Sequence, residues 1–464
     1  MRLRMAASMP AAAAMMAAAA AIALVAGGGA TAAAAASAQQ RSAATPIKHF
    51  IFLMQGARTF DNYFGTYPGV DGIPKKTCQP RQPKDGCVKP FPLHGKQQLP
   101  LNASKTIIAD QYDHGKMDGF VSAYEKQGRD GTSAMGYYQQ RELPFYWTAA
   151  RDYVLFDHFF SSALYGIRAN RSYWVAAAPP PGGTGKTLQA GYARQLTIFD
   201  RLQAAGVSWK FYVQGYSPTA GTNAQAARVP LLNYARFRDD PTLRAHIVGL
   251  DQYYRDLAAG KLPAVAFVAS SAGDNERSAQ TILAGQNLVR DMVTQLMESS
   301  SWDSSALLWS YDGSGGLYDH VRPPQTESGI LGFRVPALLV SAYARHGEIN
   351  HTVLDYTSTL RFIEDNWGLA PLTSRDASAN DLTSAFDFTA RPRPAQILPP
   401  VSSALAPLPR GLPPVPAKMI YWLYGAAAAA SLMIVLFAMV LPLFSRRRRA
   451  AAAGQAAPTD AARF

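Results

Sequence analysis

Two kinds of apolar pattern alternate along this chain. His49-Phe50-Ile51-Phe52-Leu53-Met54 is an apolar run without the three-and-four spacing of an amphipathic helix. Runs this short, rich in aromatic and β-branched residues, suit a strand buried on both faces of a parallel sheet. Gln55-Gly56-Ala57-Arg58 interrupts the run, and Thr59–Gly65 reads as a short helix stopped by glycine. Further strand patterns are expected at Arg151–Phe160, Val207–Val213, Leu262–Ser270, Ser305–Asp312 and Arg334–Ser341. Helical patterns lie between them at Thr197–Gly206, about Ala279–Glu298 and Thr357–Trp367, with a mixed helical region after Tyr112. Strands alternating with helices predict an α/β fold with a largely parallel central sheet. Ligands in such folds sit where loops leave the carboxyl ends of strands, which draws attention to residues 55–59. No internal repeat is present.

The ends read differently. Residues 1–38 carry Arg2 and Arg4, an Ala/Met/Leu/Val stretch and Ala36-Ser37-Ala38 before Gln39. That is the pattern of a cleaved secretory signal, with an uncleaved N-terminal anchor as the alternative. Residues 39–389 form the extracytoplasmic body, and 390–418 a Pro-rich linker. Met419–Phe444 has no charged residue and is long enough to span a bilayer as a helix. Tyr421, Trp422 and Tyr424 mark its outer edge, and Arg446–Arg449 open a basic tail, 445–464, that should stay cytoplasmic. A single-pass cell-membrane protein with its body outside is the expectation, the membrane being one partner.

Composition changes this picture little. The formal net charge is +13. Discounting the seven arginines of the leader and tail and Asp460 leaves the body near +7. Such a surface favours an anionic or phosphate-bearing ligand or a protein partner. No clustered basic-aromatic pattern argues for nucleic acid. The two cysteines, Cys78 and Cys87, most simply form a disulfide in an exported chain.

Met54-Gln55-Gly56-Ala57-Arg58-Thr59-Phe60-Asp61 resembles the opening motif MQENR[ST]FD of the bacterial phosphoesterase family, which contains phosphatidylcholine-type phospholipases C and acid phosphatases and is related to alkaline phosphatase. Similar segments follow in order, among them YPGVDGIPKKTCQP, QYDHGKMDGF, YVLFDHFFSSAL, GFRVPALLVSAYAR and FIEDNWGLAPL. The resemblance implies an alkaline phosphatase-like fold, and a divalent metal that activates an oxygen nucleophile and offsets phosphoryl charge.

Against that family pattern the chemistry is edited. Gly56 and Ala57 stand where a Glu and an Asn ligand are expected, and neither has a side-chain donor atom. Aligning on Asn170-Arg171 puts Ile167 at the nucleophile position, where a hydrocarbon cannot attack phosphorus. Ser161 and Ser162 read as ordinary loop serines and His114 as a surface histidine. In Tyr311-Asp312-Gly313, Asp312 is kept as a remnant metal ligand while Gly313 replaces the second acid. Arg277 falls at a histidine position; a guanidinium can clamp phosphate but cannot shuttle a proton. Arg277, Glu276, Asp319 and His320 are the candidate ligand-binding residues, with stabilisation of the Gly-rich turn as the other reading of Asp319 and His320. The family implies a divalent metal, which these substitutions predict to be weakly held or absent. Three functions follow as expectations: a pseudoenzyme binding a ligand or partner through the old cleft; an active phosphate-ester hydrolase with a relocated site using Asp312, Glu276, Asp274 and His320; or a cell-surface assembly component.

Overall fold

In the computed structural model, residues 41–398 are described apart from 84, 95–97, 99–100, 102, 183–191, 193, 220–224, 279–280 and 328, together with Ser431 and Met433. The strands of the main sheet are β1 His49–Gln55, β2 Val154–Phe156, β3 Trp209–Val213, β4 Ile247–Gly249, β5 Val265–Ala269, β6 Ser305–Tyr311, β7 Ala337–Ser341 and β8 Glu348–Asn350. The helices that matter for the site are α1 Phe60–Phe64, α2 Pro144–Asp152, α3 Ile167–Ala176, α4 Ile282–Glu298 and α5 Tyr356–Trp367. The strand order is β8-β2-β7-β6-β1-β5-β3-β4. All neighbours pair in parallel except β7, which runs antiparallel to both β6 and β2. This is the α/β architecture expected, with one reversed strand.

β1 is central because both its faces can be buried. Phe50 through Met54 are fully shielded from solvent. Phe52 meets Trp174 of α3 and Phe267 of β5 at ring separations of 5.6 and 5.8 Å, and Phe50 meets Phe362 of α5 at 5.2 Å. The opposite face carries Leu53, in register with Trp309 of β6, which packs on Phe145 and Tyr146 of α2. Helices thus cover both sides, which is why the run is continuous rather than alternating. Truncating Phe52 to alanine would cost about 3–5 kcal/mol.

Register sets the site. Gln55 of β1 ends beside Tyr311 of β6, and Met54 beside Ala269 of β5. The loops 56–59, 312–316 and 270–278 therefore open at one edge of the sheet. Backbone bonds tie them: Gly56 N–H donates to Asn275 O at 2.7 Å, and Asp312 N–H to Gly56 O at 3.1 Å.

The strand pattern differs from expectation in two places. The pattern 151–160 yields only β2, because α2 runs through Asp152 and the chain bends after Phe156. The short edge strands β4 and β8 escaped notice, three residues being too few to show a period. Among the described residues no helix is long and apolar enough to cross a membrane. The expected span 419–444 lies outside the described residues except for Ser431 and Met433, both helical. Cys78 and Cys87 are joined, with Cα atoms 5.4 Å apart.

Candidate functional site

The edge of the sheet above β6, β1 and β5 holds a cavity of about 320 Å³, whose lining includes Ala57, Ile167, Asn170, Arg277, Asp312 and Gly313. Ile167 is the first residue of α3, following Gly166. A helix start presents free N–H groups to an anion. Here the residue placed there carries a hydrocarbon side chain. Ser161 also borders the cavity, but its hydroxyl is buried and donates to Phe333 O at 3.3 Å. The buried Ser162 hydroxyl accepts from Tyr356 N–H at 3.2 Å. His114 is exposed and has no part in the lining.

Asp312 is fully buried, and its Oδ2 accepts from Arg171 Nε at 3.0 Å and from Arg277 Nη2 at 2.7 Å. Arg171 Nη2 lies 2.9 Å from the same oxygen. Burial pulls the Arg171 guanidinium below its ordinary value, opposed by the Asp312 carboxylate. Two guanidiniums thus stand against one carboxylate at the point where the family places cations. Asn170 completes the corner, donating to Asp312 O at 3.1 Å and accepting from Ala163 N–H at 2.7 Å.

Gly56 is fixed by the same substitution. A Cβ at residue 56 would lie 2.4 Å from Asn275 O and 2.6 Å from Arg277 Cγ. Arg277 therefore fills space that a ligand side chain at 56 would need, so the two changes are one packing solution. Ala57 and Gly315 are similarly close, a Cβ on Gly315 lying 3.0 Å from Ala57 Cβ, and Gly315 has φ +65°. The family's metal does not fit this donor set: positions 56, 57 and 313 offer no side-chain donor, and Asp312 brings a single unpartnered oxygen, Oδ1, its Oδ2 being taken by both arginines.

The remaining candidates do not gather in the cavity. Glu276 is completely buried beneath α4 with a left-handed backbone, φ 63°. Its carboxylate accepts from Tyr63 at 2.5 Å, Tyr311 at 3.0 Å, Tyr146, and Gln55 at 3.3 Å. Burial pushes it up to about 7, against the pull of these phenols and Arg58. Gly285 makes room for it, since a Cβ there would come within 2.0 Å of Glu276 Cγ. Asp274 bonds Gln214 at 2.6 Å. His320 and Asp319 join Asp61 and Arg334: His320 Nδ1 to Asp61 Oδ2 at 2.7 Å, Arg334 Nη2 to Asp61 Oδ1 at 3.0 Å and Arg334 Nε to Asp319 Oδ1 at 2.9 Å. Asp312, Glu276, Asp274 and His320 are thus committed to four separate sets of partners rather than to one shared site.

Arg171 and Arg334 were missed as organising residues. Arg171 stands directly beside Asn170 in the sequence used for alignment, so the signal for it was present. Arg334 is the lone charge leading into the apolar strand of the family-like segment GFRVPALLVSAYAR, a signal that the strand pattern overshadowed.

The model of the phosphoesterase family matches residues 47–370. The chain belongs to that family. Phospholipase C B of Mycobacterium tuberculosis is 30% identical over 443 residues, covering 80% of this chain and 83% of its own. Non-hemolytic phospholipase C of Pseudomonas aeruginosa is 28% identical over 451 residues, covering 80% and 63%. A solved alkaline phosphatase superfamily protein from Vibrio parahaemolyticus aligns at a TM-score of 0.39, with 11% identity and coverage of 74% of this chain and 72% of that one.

Proposed function

We propose that this phosphoesterase-family protein is exported, tethered to the membrane by residues 419–444, and binds a phosphate-bearing ligand in its cleft without hydrolysing it. The observation that carries the reading is the Arg171–Asp312–Arg277 clamp: the acid that would hold a metal is instead the counter-ion of two arginines. It leaves one positive charge uncompensated, and Arg277 is 36% exposed, able to meet a phosphate oxygen. Ile167 supports the loss of turnover, because removing a nucleophile alone lowers rates by about a million-fold. Arg446–Arg449 support the topology.

The test uses the full-length chain in detergent. Phosphate mono- and diesters should not turn over above background with Zn²⁺, Mn²⁺ or Ca²⁺ added. Calorimetry with inorganic phosphate or glycerophosphocholine should show binding that weakens roughly tenfold or more in Arg277→Ala, the loss of one charge-assisted bond. Metal-dependent turnover that survives Ile167→Ala and vanishes in Asp312→Ala would overturn the proposal.

A further inference from the structure

A second cluster lies at the same edge of the sheet, beside β2 and β8. Their register pairs Phe156 with Asn350, so the next residues, Asp157 and His351, leave two adjacent parallel strands side by side. Asp157 is fully buried, and both its oxygens lie 2.9 Å from His351 Nδ1. His158 Nδ1 lies 3.3 Å from Asp157 Oδ1, and the other ring nitrogen of His158 lies 3.3 Å from Asp71 Oδ2. We propose that Asp157, His158 and His351 hold a divalent transition-metal ion of the zinc class, with Asp71 orienting His158. This does not rest on the reading of the cleft.

Three observations carry the assignment. One ligand atom from each of Asp157, His158 and His351 lies within 4.8 Å of the other two. The pair distances of 2.9 and 3.3 Å approach the spacing of about 3.3 Å between donors around a tetrahedral ion bonded at about 2.0–2.1 Å. His158 Nδ1 is buried and faces the Asp157 carboxylate oxygen at 3.3 Å, a longer contact than the 2.9 Å from His351 Nδ1 to the same group. Its other ring nitrogen stands 3.3 Å from Asp71 Oδ2, so both nitrogens of the ring face carboxylates. A cation bound between Nδ1 and Asp157 Oδ1 would take the place of the proton that otherwise bridges them. The Asp71–His158 pair is the carboxylate–histidine arrangement that fixes a ligating imidazole.

The surrounding charge agrees. Among the described residues, Asp61, Asp71, Asp157 and Asp319 form one network with Arg334 and the imidazoles of His158, His320 and His351. With the imidazoles neutral, as metal ligands are, four carboxylates face one guanidinium, an excess that a divalent ion offsets. The neighbouring Asp61–Asp319–His320 group is less suited, because Arg334 already occupies its carboxylates. Imidazole nitrogens with a carboxylate favour zinc over calcium or magnesium, which take oxygen donors. His351 is 60% and Asp71 46% exposed, so one side of the site opens to solvent. In strand order it stands two strands from Asp312, on the order of 10 Å.

The test uses the full-length chain without a histidine tag, stripped by chelator and dialysed against Zn²⁺ or Co²⁺ alone. Elemental analysis should find a single equivalent per chain, and Co²⁺ should give the intense visible absorption of a four-coordinate site. His351→Ala should lose both, and its exposure makes it safe for folding; His351→Cys, still a ligand, should keep the ion. Arg277→Ala should retain the full equivalent, so the cleft and this site are judged separately. A folded wild type that binds no stoichiometric ion, or a His158→Ala/His351→Ala double variant that keeps it, would overturn the assignment and leave protonated histidine–carboxylate pairs in its place.

Discussion

Asp312→Asn is the substitution that most directly separates a counter-ion from a metal ligand. The native carboxylate is completely buried, and its Oδ2 receives Arg171 Nε at 3.0 Å, Arg171 Nη2 at 2.9 Å and Arg277 Nη2 at 2.7 Å. An amide oxygen can keep these directions but not the charge that makes such bonds roughly twice as strong as neutral ones. The consequences for the two arginines differ. Arg277 is 36% exposed and can turn toward water, whereas Arg171 is 4% exposed and cannot. Its remaining partners are Arg228 O at 2.7 Å and the Trp174 ring at 5.9 Å, neither a counter-charge. An orphaned buried ion costs about 3–5 kcal/mol, and that is the expected loss. Arg277→Ala leaves Asp312 held by Arg171 and removes one partly solvated bond, so about 1–2 kcal/mol is expected. The double variant should lose less than the sum, since the Arg277–Asp312 bond is weakened or lost in each single variant and is counted only once in the double. Urea denaturation followed by tryptophan fluorescence gives all three values. If Asp312→Asn lies within about 1 kcal/mol of wild type, Asp312 is not bearing the arginines and the clamp loses its meaning.

Three further outcomes are expected. Glu276 titrates near 7 when folded against 4.5 when unfolded, so its stabilising contribution is complete below about pH 4.5 and is lost as pH rises through 7; the displacement is worth roughly 3 kcal/mol, and Glu276→Gln should remove that part of the slope between about pH 5 and pH 8 in denaturant titrations. Gly56→Glu alone should destabilise, because its Cβ enters the space of Arg277 Cγ; pairing it with Arg277→Ala should recover part of the loss, and equal damage with or without Arg277 would show the clash to be with Asn275 O alone. Reducing Cys78–Cys87, separated by 9 positions, should lower stability by about 2–3 kcal/mol in the chain-entropy account, read as a shift in urea midpoint, and no shift would mean the loop is held by its other contacts.

The sequence by itself determined the α/β class, the central strand and the family. It did so because continuous apolar runs and short motifs are local, and each is legible where it stands. It also located the edited positions, since Gly56, Ala57, Ile167 and Gly313 lack donor atoms in any conformation. What the missing groups had been exchanged for was decided by tertiary structure alone. Residues 56, 171, 277 and 312 are far apart in the chain and meet only because β1, β5 and β6 end in register. Glu276, one residue from Arg277, turns away from the cleft through its left-handed backbone and is sealed by three tyrosines, a direction no spacing rule predicts. The pairing of Asp157 with His351 likewise depends on two strands 194 positions apart lying side by side, with β8 too short to announce itself. Chemistry was readable one residue at a time; the convergence of side chains required the fold.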